Sequence, residues 1–90
     1  PAVLDWNKVV NSKRQANLSQ ALGKPNLPAS EVLHNLIDSL GMPRRLEAIG
    51  VKQEQFEQLA ENCMLDDWTF SNPRKISNPK QVLEILELAR

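Results

Sequence analysis

Apolar residues along this chain recur at the spacing of helices, and no segment alternates apolar and polar residues as a half-buried strand would. The clearest stripe predicts a helix over residues 28–40, because its apolar side chains follow one another at steps of one, three and four. Pro28 suits the first turn of that helix and Gly41 its end. The stripe consists of Val32, Leu33, Leu36, Ile37 and Leu40.

Two more helices have both a stripe and a start signal. Lys52 is the expected N-cap of a helix over residues 53–63, whose apolar face holds Phe56, Leu59, Ala60 and Cys63. Asn78 followed by Pro79 predicts the start of a final helix, because Asn caps well and Pro suits the first helical position. The apolar face of this final helix holds Val82, Ile85, Leu86 and Ala89.

Weaker signals complete an all-α fold of four to five helices in one domain, residues 1–90. The apolar patch 1–6 is typical of the end of a helix, and Asn11 is the expected N-cap of a helix that runs to Leu22. Arg44–Ile49 is expected to form a short helix after Pro43, closed by Gly50. The chain has no initiator Met, which removal of Met, cleavage of a tag or origin as a piece of a longer polypeptide would each explain.

The charge balance argues against two classes of partner. Lys plus Arg and Asp plus Glu both number 11, so the formal net charge is zero and we expect neither nucleic-acid binding nor an electrostatic membrane anchor. Apolar runs are far shorter than the roughly 20 residues that span a bilayer. Cys63 is the single cysteine and has no disulfide partner within the chain, which suits a reducing, cytoplasmic location.

Isolated chemical groups point to structural roles. His34 has no second histidine and Cys63 no neighbouring base, so neither is expected to bind a metal or act as a nucleophile. The pair Asp66–Asp67 is expected to be a solvated turn. Arg44–Arg45 after a Gly turn resembles a helix-turn-helix in outline, but the second helix is short and lacks side chains that read bases.

The segment from Trp68 to Arg74 combines two aromatic residues, small polar groups and an arginine within an expected ordered loop, residues 66–77. Asn72 before Pro73 is held extended. Two interpretations stay open from the residues alone. The loop forms the wall of a pocket, or Trp68 and Phe70 cap a small core.

Three blocks resemble iron-containing (group III) alcohol dehydrogenases over essentially the whole chain. LGMPRRL (40–46) with IGV (49–51) is similar to that family's LG-x-P-x-x-L-x-x-x-G-V block. DWTFSNPR (67–74) resembles its segment ending T-x-x-N-P-R, and PAVLDWN (1–7) its P-x-V-x-x-x-N block. The tail is similar to the branch that contains maleylacetate reductases.

The resemblance implies the C-terminal end of a helical domain. The family's N-terminal domain binds NAD(P), and its helical domain holds a divalent metal, iron or zinc, through one Asp and three His. The last of these ligands precedes the position that matches Pro1. We therefore expect no metal ligand, cofactor-binding or catalytic residue in this chain, and no activity from it alone; the whole enzyme would interconvert an alcohol or hydroxy acid with its carbonyl.

The resemblance also implies a role for the loop. The family position that matches Trp68 faces the substrate pocket, so the substrate-pocket candidates are Trp68, Thr69, Phe70 and Asn72, with Arg74 as a clamp on the loop. The expected partner is the rest of the enzyme, namely its metal-bearing helices and nucleotide domain. An isolated piece is expected to self-associate. The alternative is a self-contained helical interaction module that has no enzymatic activity and binds a partner helix.

Overall fold

The computed structural model describes all residues from Pro1 to Arg90, and all its regular elements are helical. The α-helices are α1 (Ala2–Ala21), α2 (Ala29–Ser39), α3 (Phe56–Cys63) and α4 (Pro79–Ala89). Short 3₁₀ segments cover Glu47–Ile49, Gln53–Gln55 and Asp67–Ser71. The all-α prediction with four to five helices is confirmed. None of these helices has both the length and the apolar character required to cross a bilayer.

Helix α1 bends at Asn11, whose backbone (φ −137°, ψ 27°) is not helical. The Gln15 side-chain amide donates to the Leu4 carbonyl at 2.7 Å and to Asn11 Oδ1 at 2.8 Å. Along a straight helix Leu4 and Gln15 would lie about 16 Å apart, which a glutamine cannot reach. The helix therefore consists of two arms, an N-terminal arm (2–10) and a C-terminal arm (12–21), which are inclined towards each other.

This bend corrects the prediction for the start of the chain. The sequence signals assign residues 7–10 to neither of the two expected helices, yet these residues are helical and continue the first arm. Asn11 marks the boundary as predicted, but its side chain accepts a hydrogen bond from the Gln15 side chain rather than from the backbone of the next turn. The hydrogen bond from the Gln15 side chain to Asn11 Oδ1 therefore takes the place of the backbone bond that an N-cap would accept.

Glycines end α1 and α2 in the same way. Gly23 and Gly41 have φ of +74° and +67°, in the left-handed region where a side chain is costly. In α1 the N–H groups of Gly23 and Lys24 donate to the carbonyls of Gln20 and Ser19. The equivalent bonds in α2 join Gly41 to Asp38 and Met42 to Ile37. These are the two bonds of a Schellman motif, and they confirm the predicted helix ends to within a residue.

The predicted helix Arg44–Ile49 is wrong in length, since only the turn Glu47–Ile49 forms. The N–H of Leu46 donates to the Ala89 carbonyl at the end of α4, at 2.9 Å. Arg44 Nε lies 3.0 Å from Asp38 Oδ1 at the end of α2. Tertiary contacts therefore hold the first half of this segment in an irregular path, outside a helix, that sequence alone does not reveal.

Helix α4 begins as predicted. Asn78 Oδ1 accepts from the Gln81 N–H at 3.3 Å, with Pro79 at the first helical position. The Gln81 side chain in turn accepts from the Ser77 N–H at 2.7 Å. The first of these bonds satisfies an amide that the start of a helix leaves without a partner, and the second fixes Ser77, the residue before the cap, on the first turn.

The core lies between the N-terminal arm of α1, α3 and α4. Its fully buried members are Trp6, Ala60, Ile76 and Val82, and partly buried side chains surround them: Cys63, Met64, Leu83, Ile85 and Leu86. Helix α2 packs against α1 and buries Ala29 and Val32. The apolar face predicted for α2 is only half used, because Leu36 and Leu40 remain 42% and 63% exposed.

The folded chain is thin and open for its size. Its accessible surface is 6515 Å², whereas a folded monomer of this mass exposes about 5,300 Å². Its radius of gyration is 14.0 Å and its shortest dimension 17 Å, against about 12 Å for the radius of gyration of a typical domain of this length. A large share of the apolar surface is therefore not covered within the chain.

Candidate functional site

The 66–74 segment, from Asp66 to Arg74, leaves the end of α3 as a tight, ordered turn. Asp66 Oδ1 accepts from the Trp68 N–H at 3.0 Å, and Thr69 Oγ1 donates to the Cys63 carbonyl at 2.6 Å. The backbone becomes extended at Asn72 (φ −61°, ψ 137°), as the following proline requires. Both ends of the turn are thus fixed by local bonds.

A pair of amides joins the 66–74 segment to α1. Asn72 Nδ2 donates to Asn7 Oδ1 at 2.7 Å, and Asn7 Nδ2 donates back to Asn72 Oδ1 at 2.9 Å. Asn72 Nδ2 also donates to the Arg74 carbonyl at 2.7 Å. Asn7 is only 4% exposed. Because water has little access to its side-chain amide, Asn72 provides the hydrogen-bond partners that this amide needs.

Arg74 lies over the indole of Trp6. Its guanidinium carbon is 3.9 Å from the ring centroid, within cation–π range, and its Nη1 donates to the Trp6 carbonyl at 3.0 Å. The Trp6 Nε1–H donates to Glu84 Oε2 on α4 at 2.7 Å. One buried tryptophan therefore connects the 66–74 segment, the N-terminal arm of α1 and α4.

Trp68 and Phe70 point away from this anchorage and are 81% and 54% exposed. The interpretation that they cap the small core is wrong, because Trp6 and Ile76 fill the positions against α3 and α4. The four cavities of the chain lie elsewhere, and none is lined by a residue of the 66–74 segment. Any pocket wall formed by Trp68 requires atoms from outside this chain.

The other chemically active groups do not assemble into a site. His34 is half-buried beside Arg44 and Arg90, in a groove between α2 and the end of α4. Cys63 is half-buried at the edge of the core, and Asp66 and Asp67 are exposed. No group of three or more His, Cys, Asp or Glu side chains is placed to hold a metal ion.

The sequence patterns did not single out Trp6, Asn7 and Glu84 as neighbours of the candidate residues. They contact partners 65 to 78 residues away along the chain, so no local pattern signals the pairing. The one sequence signal for Trp6 and Asn7 was that they lie in the block at residues 1–7, which resembles a block of the alcohol dehydrogenase family. That block marks the positions, but it does not indicate which partners they meet.

Comparison with known proteins places the whole chain in one family. The model for "Fe-containing alcohol dehydrogenase family, C-terminal" matches residues 1–90. The 1,3-propanediol dehydrogenase of Citrobacter freundii is 31% identical over 98 aligned residues, covering 99% of this chain and 25% of the relative. Its Klebsiella pneumoniae counterpart is 30% identical over the same shares. No solved structure matches significantly.

A relative with slightly lower identity is also named as a dehydrogenase. The 4-hydroxybutyrate dehydrogenase of Cupriavidus necator is 29% identical over 82 residues, 86% of this chain and 22% of the relative. The chain thus spans about a quarter of the length of the curated relatives it matches. The match over its full length shows that the chain belongs to the Fe-containing alcohol dehydrogenase family, as part of that family's C-terminal region.

Proposed function

We propose that this chain is the C-terminal end of the helical domain in an NAD(P)-dependent, metal-dependent dehydrogenase that interconverts an alcohol or hydroxy acid with its carbonyl. Family membership over residues 1–90 and the dehydrogenase names of the relatives support the reaction class. The chain's share of those relatives, about a quarter, supports the presence of a larger enzyme around it. Assignment to the maleylacetate reductase branch stays a prediction.

The residues of this chain do not fit a resident metal or nucleotide. No three potential ligands come together, and the three glycines are isolated helix or turn ends rather than a phosphate-binding loop. In this proposal the metal, iron or zinc, and NAD(P) belong to the rest of the enzyme. The isolated chain is accordingly proposed to be inactive.

The contribution of this chain to the reaction is the presentation of the 66–74 segment. The observation that carries this proposal is a division within the segment: Asn72 and Arg74 bond to α1, while Trp68 and Phe70 are largely exposed. A rigid base with projecting aromatic groups suits the wall of a substrate pocket completed by other parts of the enzyme. Arg74 acts as the clamp, and Thr69 fixes the turn on α3.

The test is made on the full gene product that contains this chain. We expect an intact mass about four times 10.2 kDa, inferred from the 25% coverage of the relatives, and NAD(P)-linked alcohol oxidation once iron(II) or zinc(II) is supplied. A product of 10.2 kDa would instead favour the helical interaction module. A full-length product that binds NAD(P) but oxidises no alcohol or hydroxy acid would overturn the proposed reaction.

The isolated chain is predicted to self-associate. Its accessible surface exceeds that of a typical monomer by about 1,200 Å², and the side chains of Leu40, Leu65 and Val9 are 63%, 85% and 70% exposed. Light scattering coupled to size exclusion, run across a concentration series, should give a mass that rises above 10.2 kDa. A constant monomer mass at every concentration would contradict this prediction.

Replacement of Trp68 by alanine is predicted to change substrate preference in the full-length enzyme without unfolding it. Removal of an exposed ring that narrows a pocket should raise kcat/KM for bulkier alcohols relative to small ones by about 10-fold or more. Leu65→Ala is the matched control, because Leu65 is 85% exposed just before the segment. An unchanged ratio in Trp68→Ala would remove Trp68 from the pocket.

A further inference from the structure

An apolar cleft, here called the α1–α2 cleft, lies between the end of α1 and the middle of α2. Its apolar lining consists of Val32, which is buried, and of Leu22 and Leu36, which are each 42% exposed. Lys24 and Asn35 complete the lining. The cleft has a volume of about 190 Å³, and an apolar cavity of about 150 Å³ already holds a benzene molecule. The α1–α2 cleft therefore admits one apolar side chain.

The chain around this cleft is basic. Lys24 forms no salt bridge within the chain. The acidic residues of α2, Glu31 and Asp38, lie outside the lining, and Asp38 is paired with Arg44. The cleft thus suits an apolar side chain that has acidic neighbours. Residues 6–30 contain no acidic residue and four basic ones, Lys8, Lys13, Arg14 and Lys24.

A side chain of that description follows the end of α3. Leu65 is 85% exposed, the largest exposed fraction among the large apolar side chains of the chain. Glu61, one helical turn before it, and Asp67 are exposed, and neither forms a salt bridge. Leu65 therefore projects among unpaired carboxylates. Residues 54–67 contain no basic residue and five acidic ones, Glu54, Glu57, Glu61, Asp66 and Asp67.

We propose that Leu65 of one copy of this chain inserts into the α1–α2 cleft of a second copy. Lys24 at the cleft then faces Glu61 and Asp67 beside the inserted leucine. The two surfaces do not meet within one chain, because Leu65 is exposed and no salt bridge joins them. Since the two surfaces differ, the contact is head-to-tail and forms a ring or an open chain of copies.

This proposal names the surfaces behind the self-association predicted for the isolated chain, and it is independent of the dehydrogenase reaction. The contact is weak, because it buries one projecting side chain and its ion pairs are exposed to solvent. We expect a Kd on the order of 1 mM. Added salt should weaken the association, since exposed ion pairs are screened.

A head-to-tail contact can be tested by mixing two variants of the 90-residue chain that lack different surfaces. Leu65→Ser removes the projecting side chain and keeps the cleft, whereas Leu36→Glu keeps Leu65 and places a carboxylate in the cleft. Each variant alone should stay monomeric in light scattering. Their mixture should form a one-to-one dimer and nothing larger, because it contains one intact pair of surfaces. Circular dichroism checks that both variants fold.

Nuclear magnetic resonance then locates the contact. With ¹⁵N-labelled Leu65→Ser and unlabelled Leu36→Glu, we expect saturable shifts of the amides of Leu22, Lys24 and Val32. With the labels exchanged, the shifts should appear at residues 61–67. The absence of saturable shifts in both experiments would overturn the proposal and leave the cleft to a segment of a longer polypeptide. Shifts at the cleft without shifts at residues 61–67 would also overturn it, because another surface would then occupy the cleft.

A second pair of variants does not depend on the folding of Leu36→Glu. Lys24→Glu should weaken self-association about threefold at low salt, because it places like charges opposite each other. Lys13→Glu is the matched control, since Lys13 is an exposed residue of α1 outside the lining. Light scattering across a concentration series measures both variants. Equal Kd values for Lys24→Glu and Lys13→Glu would reject the site.

Discussion

Replacement of Trp6 by alanine is expected to lower the free energy of unfolding by about 3–5 kcal/mol, which is a large part of the stability of a small domain. The ring is 4% exposed at the centre of the core, packed with Ala60, Ile76 and Val82. Its removal would leave a cavity and would also eliminate the cation–π contact with Arg74 and the bond to Glu84. Few other side chains are available to fill the gap, because only 11 of 90 residues are buried.

The second tryptophan supplies a matched control for this prediction. Trp68 is 81% exposed, so Trp68→Ala should change the free energy of unfolding by no more than about 0.5 kcal/mol. Urea unfolding followed by circular dichroism, at one fixed protein concentration, measures both variants under the same degree of self-association. Similar stabilities for the two variants would show that Trp6 does not hold the core.

A third variant separates packing from hydrogen bonding at this position. Trp6→Phe keeps an aromatic ring for Arg74 but removes the Nε1–H that donates to Glu84 at 2.7 Å. Its loss of stability should fall between those of the two alanine variants, because part of the buried volume and the cation–π contact persist. If Trp6→Phe loses as much stability as Trp6→Ala, the remaining ring contributes nothing. The stability would then come from the indole N–H and from the volume that Phe does not fill.

The opposite environments of the two tryptophans explain which parts of the fold could be predicted. Helix ends at Gly23 and Gly41 and the start at Asn78 are set by bonds within a few residues, so local patterns found them. The burial of Trp6 depends instead on Ile76 and Val82, some seventy residues away along the chain. Local composition gives no information about such pairings, and it left open whether the aromatic pair of the loop caps the core.

The bend of α1 illustrates the same limit. An Asn before polar residues correctly indicated a boundary at Asn11. The chain is helical on both sides of this boundary, and the Gln15 side chain bonds across it to Leu4 and Asn11. Capping signals alone do not predict such bonds. Likewise the segment before Glu47 does not complete a helix, because the Leu46 N–H bonds to the Ala89 carbonyl of α4. In both cases a hydrogen bond between groups many residues apart, Gln15 with Leu4 and Leu46 with Ala89, accompanies the departure from the predicted helix.

For the candidate site, the sequence located the 66–74 segment but not its anchorage. The family resemblance marked Asn72 and Arg74, and the structure shows both of them bonded to the N-terminal arm of α1. The partners, Trp6 and Asn7, lie in another block of the same resemblance. The two blocks therefore form one physical unit, in which the first arm of α1 supports the turn that carries the exposed aromatic residues.

The strength of this unit is measured by the second prediction. Asn72→Ala should lower the free energy of unfolding by about 2 kcal/mol, because it leaves the amide of Asn7 buried and without its partner. Asn7→Ala should have a similar effect. The double variant should cost about 1–2 kcal/mol less than the two single losses combined, since no orphaned amide remains. Asn62→Ala is the control, because the Asn62 side chain bonds only to the exposed Gln58 side chain.

The same variants report on the segment itself. Freed from Asn7, the turn keeps its local bond from Thr69 to the Cys63 carbonyl and the bond of Arg74 to Trp6, but it loses the amide pair that joins it to α1. Amide exchange at Thr69 and at residue 72 should therefore accelerate more than exchange in α4. Urea unfolding and hydrogen exchange on the four proteins complete the cycle. Strictly additive losses, with exchange in the segment unchanged, would mean that Asn7 and Asn72 act independently and that their amide pair does not hold the turn.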